Sequence, residues 1–152
     1  MQTFLPYASF KESAQCLDYR RLGKQRVEAA QIHRALTDPT YGWQHHPATQ
    51  MWRGYADALA QYHNIMITEW VQRGYRNTMS YLLYPDHVEM PPWLGNADVH
   101  FSHQAALAYK LPEHYNQFGW ERESKFILRL AMNHTIRKPV YYWPTSVYRE
   151  DV

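Results

Sequence analysis

Three polar residues near the start of the chain have the spacing of one helical stripe. In the stretch LDYRRLGKQRVEAAQ, Lys24, Glu28 and Gln31 share one face at about 100° per residue. Val27 and Ile32 flank that stripe, which favours burial over full exposure. A surface pair of Lys24 and Glu28 would contribute only about 0.2–0.5 kcal/mol. A covered ammonium, carboxylate and amide instead indicate the lining of a pocket.

Basic and aromatic side chains accompany the stripe. Arginine and histidine suit phosphate oxygens, an aromatic face suits a displaced base, and an amide such as Gln31 can read a base edge. The other predicted substrate-binding residues are Arg20, Arg21, Trp43, His46, Arg53 and His103. The predicted catalytic groups are Lys24, Glu28 and, as argued below, Met1.

Length and composition restrict the class of protein. The chain has 152 residues, which favours one domain with a substantial core. Aromatic residues make up 16% of it, with 13 Tyr and 6 Trp, so flat faces for base stacking are abundant. A formal net charge of +2 is compatible with nucleic-acid binding but does not require it.

Cysteine and histidine usage argue against disulfides and metal. Cys16 is the single cysteine, which excludes an intramolecular disulfide and favours a reducing, cytoplasmic setting. We expect neither a secretory signal nor a membrane span. Two histidine pairs, at 45–46 and at 100 and 103, lack the cysteines or carboxylates that would complete a zinc site. No metal is therefore predicted.

The periodicity predicts a mainly α protein with long loops. Ser9 and Glu12 form a capping box before a first helix near Phe10, and Gly23 is expected to separate it from the second. Gly74 is expected to cap one long helix. The remaining predicted helices are Lys24–Leu36, a long helix that begins at Pro47, Asn77–Leu83, Ser102–Lys110, Pro112–Phe118 and Ser124–Asn133. The segments 37–46 and 85–98 are predicted loops.

Several motifs together resemble a known family. The segments LDYRRLGKQRVEAAQ, YGWQHHPATQMWRGY, EWVQRGY and PPWLGNADVHFSHQAALAYKLPEHYNQFGW, with YYWP near the end, are similar to pyrimidine dimer DNA glycosylases of the endonuclease V type. The resemblance covers most of the chain, and residues 121–137 depart from it as a possible insertion. It implies one compact, all-α domain over residues 1–152, acting as a monomer without a cofactor on double-stranded DNA that carries a damaged or modified base.

The resemblance also implies a mechanism. Enzymes of this family flip a nucleotide out of the duplex and cut its glycosidic bond with the free α-amine of the first residue. A glutamate on an early helix assists, a Schiff base forms at C1′, and the strand can then break by β-elimination. An α-amine has an ordinary pKa near 8, so part of it is unprotonated at neutral pH.

Two positions depart from the family pattern. Gln2 is too large for the usual removal of the initiator, which assigns the amine to Met1. The position of the family's glutamate corresponds to Arg21, so Glu28, about two turns later, is the predicted replacement. Lys24 is an alternative amine, although the neighbouring carboxylate of Glu28 favours its protonated form.

A second resemblance leaves other activities open. The residues Asp18, Lys24, Glu28 and Gln31, with the dipeptide at 46–47, have spacings similar to those of phage enzymes that attach an amino acid to a modified thymine in DNA. The alternatives to a glycosylase and abasic-site lyase are therefore a DNA-base-modifying transferase and a non-catalytic DNA-binding module.

Overall fold

The protein is a helical domain with one small hairpin. The computed structural model describes residues 1–120, 127–130 and 133–144. The elements are α1 (Phe10–Cys16), α2 (Tyr19–Thr37), α3 (Pro47–Trp52), α4 (Ala56–Gln72), α5 (Ala97–Lys110), α6 (Pro112–Tyr115), a 3₁₀ turn (Asn116–Phe118), β1 (Ile127–Leu130) and β2 (Asn133–Pro139). The mainly α class is confirmed. No helix among the described residues is long and apolar enough to span a bilayer.

Side-chain caps set the start of the first two helices. The Ser9 hydroxyl accepts from the Glu12 N–H at 3.1 Å, which confirms the predicted start of α1. Asp18 caps α2 in the same way, so α2 begins at Tyr19 and not after Gly23. The predicted interruption at Gly23 is wrong. A Cβ there would lie 3.0 Å from a ring carbon of Trp70, so this glycine allows α2 and α4 to pack closely.

The predicted long helix from Pro47 is wrong, because it consists of two helices. Its first part, α3, ends at Trp52, and Gly54 takes a left-handed φ of +88° before α4 starts. The predicted cap at Gly74 is confirmed, since its N–H donates to the Val71 carbonyl at 2.9 Å with φ at +91°.

The later part of the chain departs further from the prediction. Residues 77–83 are extended instead of helical, because the Asn64 amide donates to the carbonyl and accepts from the N–H of Leu82, each at 2.8 Å. Helix α5 starts at Ala97, before the predicted Ser102, with Asn96 as its cap. The helix predicted at 124–133 is wrong over residues 127–130, which form β1 and pair antiparallel with β2, while 124–126 and 131–132 lie outside the described residues. The possible insertion at 121–137 lies partly outside the described residues.

An aromatic core lies between α1, α3 and α4. Trp52 is fully buried and contacts Trp93 edge-on, with ring centroids 5.0 Å apart. Phe10 meets Tyr62 in the same way at 5.5 Å. Cys16 is also buried, and burial raises the pKa of its thiol to about 12, which makes it an inert packing residue. This core packs against the first residues of the chain.

Candidate active site

The N-terminal segment, residues 2–6, is buried and extended, but it pairs with no described strand. Its N–H groups instead donate to side chains. The Gln2 N–H donates to Glu28 Oε2 at 3.2 Å, and the Leu5 N–H donates to His103 Nδ1 at 2.8 Å. Between them, the Phe4 N–H donates to Gln25 Oε1 at 2.9 Å. The start of the chain is therefore fixed by helices distant in sequence.

The carbonyl groups of the same segment are held in the same manner. Buried carbonyl oxygens need donors, and here polar side chains supply them. The pairs are Gln2 O with Gln25 Nε2 at 2.9 Å, Phe4 O with the Tyr62 hydroxyl at 2.7 Å, Leu5 O with His100 Nδ1 at 2.7 Å and Pro6 O with Gln104 Nε2 at 2.8 Å. Helices α2, α4 and α5 thus hold the segment together.

Two histidines on α5 hold Leu5 with opposite tautomers. His103 Nδ1 accepts from Leu5 and is therefore unprotonated, whereas His100 Nδ1 donates to Leu5 and its Nε2 accepts from the Gly95 N–H at 2.9 Å. Burial, with a smaller effect of His100, lowers the pKa of His103 to about 3. His103 stays neutral at physiological pH, as its role as an acceptor requires.

Full burial separates His103 from the predicted substrate contacts. It has no exposed surface, and its ring lies edge-on against Phe4 and Tyr141, at 6.1 and 5.7 Å. Its side chain cannot reach DNA from the core. Its function in the structure is to position the N-terminal segment.

Gln25 is the central residue of this arrangement, and the sequence analysis missed it. It is 1% exposed, and its Oε1 also accepts from the Tyr62 hydroxyl at 2.6 Å. Its Nε2 donates to Glu28 Oε2 at 3.2 Å as well as to Gln2. The helical spacing of Arg21, Gln25 and Glu28 was the available signal, since these three positions share a face of α2.

An open cleft of about 480 Å³ lies where α2 meets the N-terminal segment. This volume falls in the usual range for small-molecule sites. The residues that line it are Met1, Gln2, Phe4, Arg20, Arg21, Lys24, Gln25, Glu28, Lys110 and Tyr141. The structure thus brings the predicted Met1, Lys24 and Glu28 together, along with two predicted arginines. Four long cationic side chains surround a single carboxylate among these lining residues.

Arg21 is oriented at the cleft by Asp18. The Asp18 carboxylate accepts from the Arg21 guanidinium at 3.2 Å and from the Tyr115 hydroxyl at 2.5 Å. Burial acts to raise the pKa of Asp18, but the Tyr115 hydrogen bond and the charge of Arg21 outweigh it and lower that pKa. Asp18 therefore remains ionised and holds the cation of Arg21 in place.

His46 lies within electrostatic reach of the amino terminus. Its Nδ1 caps α3 by accepting from the Ala48 N–H at 3.0 Å, and its ring meets Trp43 and Trp143 edge-on. Burial and the positive charge of the amino terminus lower the pKa of His46, with Glu28 opposing them. A neutral His46 beside the Met1 amine is the result.

Trp43 and Arg53 are among the predicted contacts that lie outside the cleft lining. Trp43 is 51% exposed. Arg53 is exposed, and its guanidinium donates to the Gln44 carbonyl at 3.0 Å. Both side chains remain accessible from solvent.

The predicted stripe is only partly covered. Lys24 is exposed and Glu28 is half-buried, while Gln31 lies in a neighbouring groove of about 590 Å³ and not in the cleft. Two aromatic rings line that groove: Tyr19, which is exposed, and Trp70, which is half-buried. Lys24, Glu28 and Gln31 together line that groove, whereas Gln25 is the amide buried beside the N-terminal segment.

Comparison with known families agrees with this geometry. The family model for pyrimidine dimer DNA glycosylase matches residues 1–83. The chain belongs to the pyrimidine dimer DNA glycosylase family. The match includes the N-terminal segment and α1 to α4, whereas Lys110 and Tyr141 of the cleft lie beyond it. Neither a curated protein nor a solved structure matches the chain.

Family membership supports DNA as the partner and glycosylase activity in general terms. Within the part of the chain that the structure describes, no group of three or more His, Cys, Asp or Glu residues could hold a metal ion.

Proposed function

We propose that this protein is a DNA glycosylase with abasic-site lyase activity, which excises a damaged or modified pyrimidine from double-stranded DNA. The Met1 amine would be the nucleophile and Glu28 the assisting carboxylate. One observation carries the proposal: the Gln2 N–H donates to Glu28, which places that carboxylate one residue from the amine in a cationic cleft. The family match supports the substrate class.

The proposed reaction begins with the unprotonated Met1 amine. Its lone pair forms a bond to C1′ of the deoxyribose, while the C1′–N1 bond breaks and its electron pair leaves with the base. Glu28 takes a proton from the attached nitrogen, and the departing base takes one from water. The nitrogen lone pair then opens the sugar ring as Glu28 passes its proton to O4′, which gives the protonated Schiff base. Loss of the C2′ proton expels the 3′-phosphate by β-elimination.

The charges of the cleft residues suggest their roles in the proposed reaction. Arg20, Arg21 and Lys110 line the cleft and would hold phosphates on either side of the extruded nucleotide. Lys24 is ranked below Met1 as the nucleophile, because a lysine side chain ordinarily holds its proton more tightly than an α-amine does.

The remaining predicted substrate contacts would act outside the cleft. Gln31, in the neighbouring groove, would contact a nucleotide adjacent to the extruded one. A neutral His46 would keep a further positive charge away from the amine. Trp43 and Arg53, both exposed, would contact the duplex outside the cleft.

Borohydride trapping tests the proposal. The protein would be mixed with duplex DNA that carries a cyclobutane pyrimidine dimer or an abasic site, reduced, and mapped by peptide mass spectrometry. An adduct on the N-terminal peptide, with its α-nitrogen modified, is the expected result. An adduct on Lys24 would replace Met1 by that lysine as the nucleophile.

A pair of glutamate variants tests the carboxylate. Glu28→Gln should reduce base release and trapping by roughly 100-fold, as expected for loss of a general acid or base. The control is Glu12→Gln, at an exposed position of α1 whose capping role glutamine also supports. Full activity of Glu28→Gln would exclude this role. DNA binding without any product, or a change in nucleoside mass without strand cleavage, would indicate a binding module or a transferase.

A further inference from the structure

Gln2 lines the cleft, and the donor of its buried side-chain amide is unused. Gln2 is 4% exposed and is one of the residues that line the cleft. Its Oε1 accepts from the Thr3 N–H at 2.8 Å, which fixes the orientation of the amide. No described residue accepts a hydrogen bond from its buried Nε2. Buried amide donors are almost always paired in native proteins, so this one requires an explanation.

The described groups around the amide give its Nε2 no acceptor in this structure. Lys24 and Arg21 are donors only, as are the other cations of the cleft. Oε2 of Glu28, the carboxylate that lines the cleft, already accepts from Gln25 Nε2 and from the Gln2 N–H. The acceptor that fits this position is therefore one that a ligand brings into the cleft.

We propose that Gln2 Nε2 donates to the C2 carbonyl oxygen of the pyrimidine that is being excised. This inference rests on the proposed function. The C2 carbonyl is attached to N1, the atom bonded to C1′, so it is the base oxygen closest to the reacting carbon. The donor belongs to the residue next to Met1, whose amine attacks that same carbon, so both groups converge on one end of the base.

The hydrogen bond would act most strongly on the leaving base. When the C1′–N1 bond breaks, its electron pair moves to N1 and the negative charge spreads onto the C2 oxygen. A fixed donor at that oxygen therefore binds the transition state more tightly than the substrate. Because the Thr3 N–H already fixes the orientation of the amide, the direction of the donor is set before charge develops. Gln2 is thus a catalytic residue for base release, separate from the amine and the carboxylate.

Abasic DNA provides a substrate on which this donor has no partner. Gln2→Glu keeps the size of the side chain and an acceptor for Thr3, but it replaces the donor by an oxygen. Gln2→Met removes both polar atoms. Both residues are large enough to favour retention of Met1, and the intact mass of each variant would establish that the terminus is unchanged. Gln15→Glu, at an exposed amide of α1, is the matched control.

The expected result is a selective defect. Both Gln2 variants should release the base roughly 100-fold more slowly, the usual effect of removing one oxyanion-type donor. In Gln2→Met, which adds no charge beside the Met1 amine, borohydride trapping on a duplex with a preformed abasic site should fall far less than base release, because no base is present to receive the hydrogen bond. Gln15→Glu should match wild type on both substrates.

Other outcomes would overturn the inference. Equal losses on both substrates would mean that Gln2 only positions Met1 or contacts the sugar or a phosphate. Wild-type base release in both variants would mean that the donor is not used. If the wild-type protein traps abasic DNA but releases no pyrimidine, the Gln2 role is wrong while the amine chemistry stands. If it does neither, the proposed function itself fails.

Discussion

Replacing Gln25 by leucine removes the hydrogen bonds that fix the start of the chain. Leucine fills a similar volume, but the Phe4 N–H loses its acceptor and the Gln2 carbonyl loses its donor, both in a buried environment. Each buried group left unpaired costs about 1–3 kcal/mol. Glu28 keeps its bond from the Gln2 N–H, and Tyr62 keeps Phe4 O as an acceptor. We therefore expect Gln25→Leu to lower the free energy of unfolding by about 2–5 kcal/mol.

Urea unfolding at neutral pH measures this loss as a lower midpoint with an unchanged m-value. Gln15→Leu is the control, because that amide is exposed and its replacement should change stability by no more than about 0.5 kcal/mol. The reasoning would be refuted if the two variants unfolded at the same urea concentration. Trapping on abasic DNA should fall in Gln25→Leu as well, since the segment that carries the Met1 amine would be held by fewer hydrogen bonds.

Three further predictions concern pH, salt and packing. Burial lowers the pKa of His103 from 6.5 to about 3, so only the unfolded chain gains this proton between those values. The stability that the neutral His103 contributes is therefore lost as pH falls, by up to about 1.4 kcal/mol per pH unit. The variant His103→Asn lacks this proton uptake, so its urea midpoint should decline less steeply from pH 7 to pH 4. Arg20→Gln and Lys110→Gln should each reduce the slope of log K for DNA binding against log salt by about 0.9, whereas Lys11→Gln, an exposed lysine outside the cleft lining, should not change it. Gly23→Ala should destabilise by about 1 kcal/mol, because a Cβ at 3.0 Å from Trp70 costs more than the gain in helix propensity, and an increase in the urea midpoint would contradict this.

Local capping rules predicted much of the helical framework. Ser9 with Glu12 located α1, and Gly74 located the end of α4, because both signals depend on hydrogen bonds within a few residues. Gly23 was misread for the opposite reason. Glycine within a sequence looks like an interruption, whereas its value here is the space that it leaves for Trp70, a residue from another helix. No local rule contains that information.

The difference between local signals and tertiary contacts also explains which site residues the sequence could predict. Helical spacing correctly grouped Lys24 and Glu28, and the resemblance to a known family added Met1; all three line the cleft. Spacing alone could not choose between Gln25 and Gln31 as the inward amide, because that choice depends on where the N-terminal segment lies. His103 was assigned to substrate because of its chemistry, although its contacts with Leu5 and Tyr141 are tertiary.

The way in which the N-terminal segment is held has a consequence for catalysis. A strand in a sheet is held by a repeating ladder, whose register can slip without loss of most of its hydrogen bonds. Here the buried backbone groups are bonded to side chains of several kinds, such as the Gln25 amide, the Tyr62 hydroxyl and the His103 imidazole. A shift by one residue would leave these groups unpaired, so the segment has one stable position. An amine that must approach C1′ closely requires such a fixed position, because small displacements reduce reaction rates strongly. The buried polar side chains of α2, α4 and α5 therefore determine where the chain's first nitrogen lies.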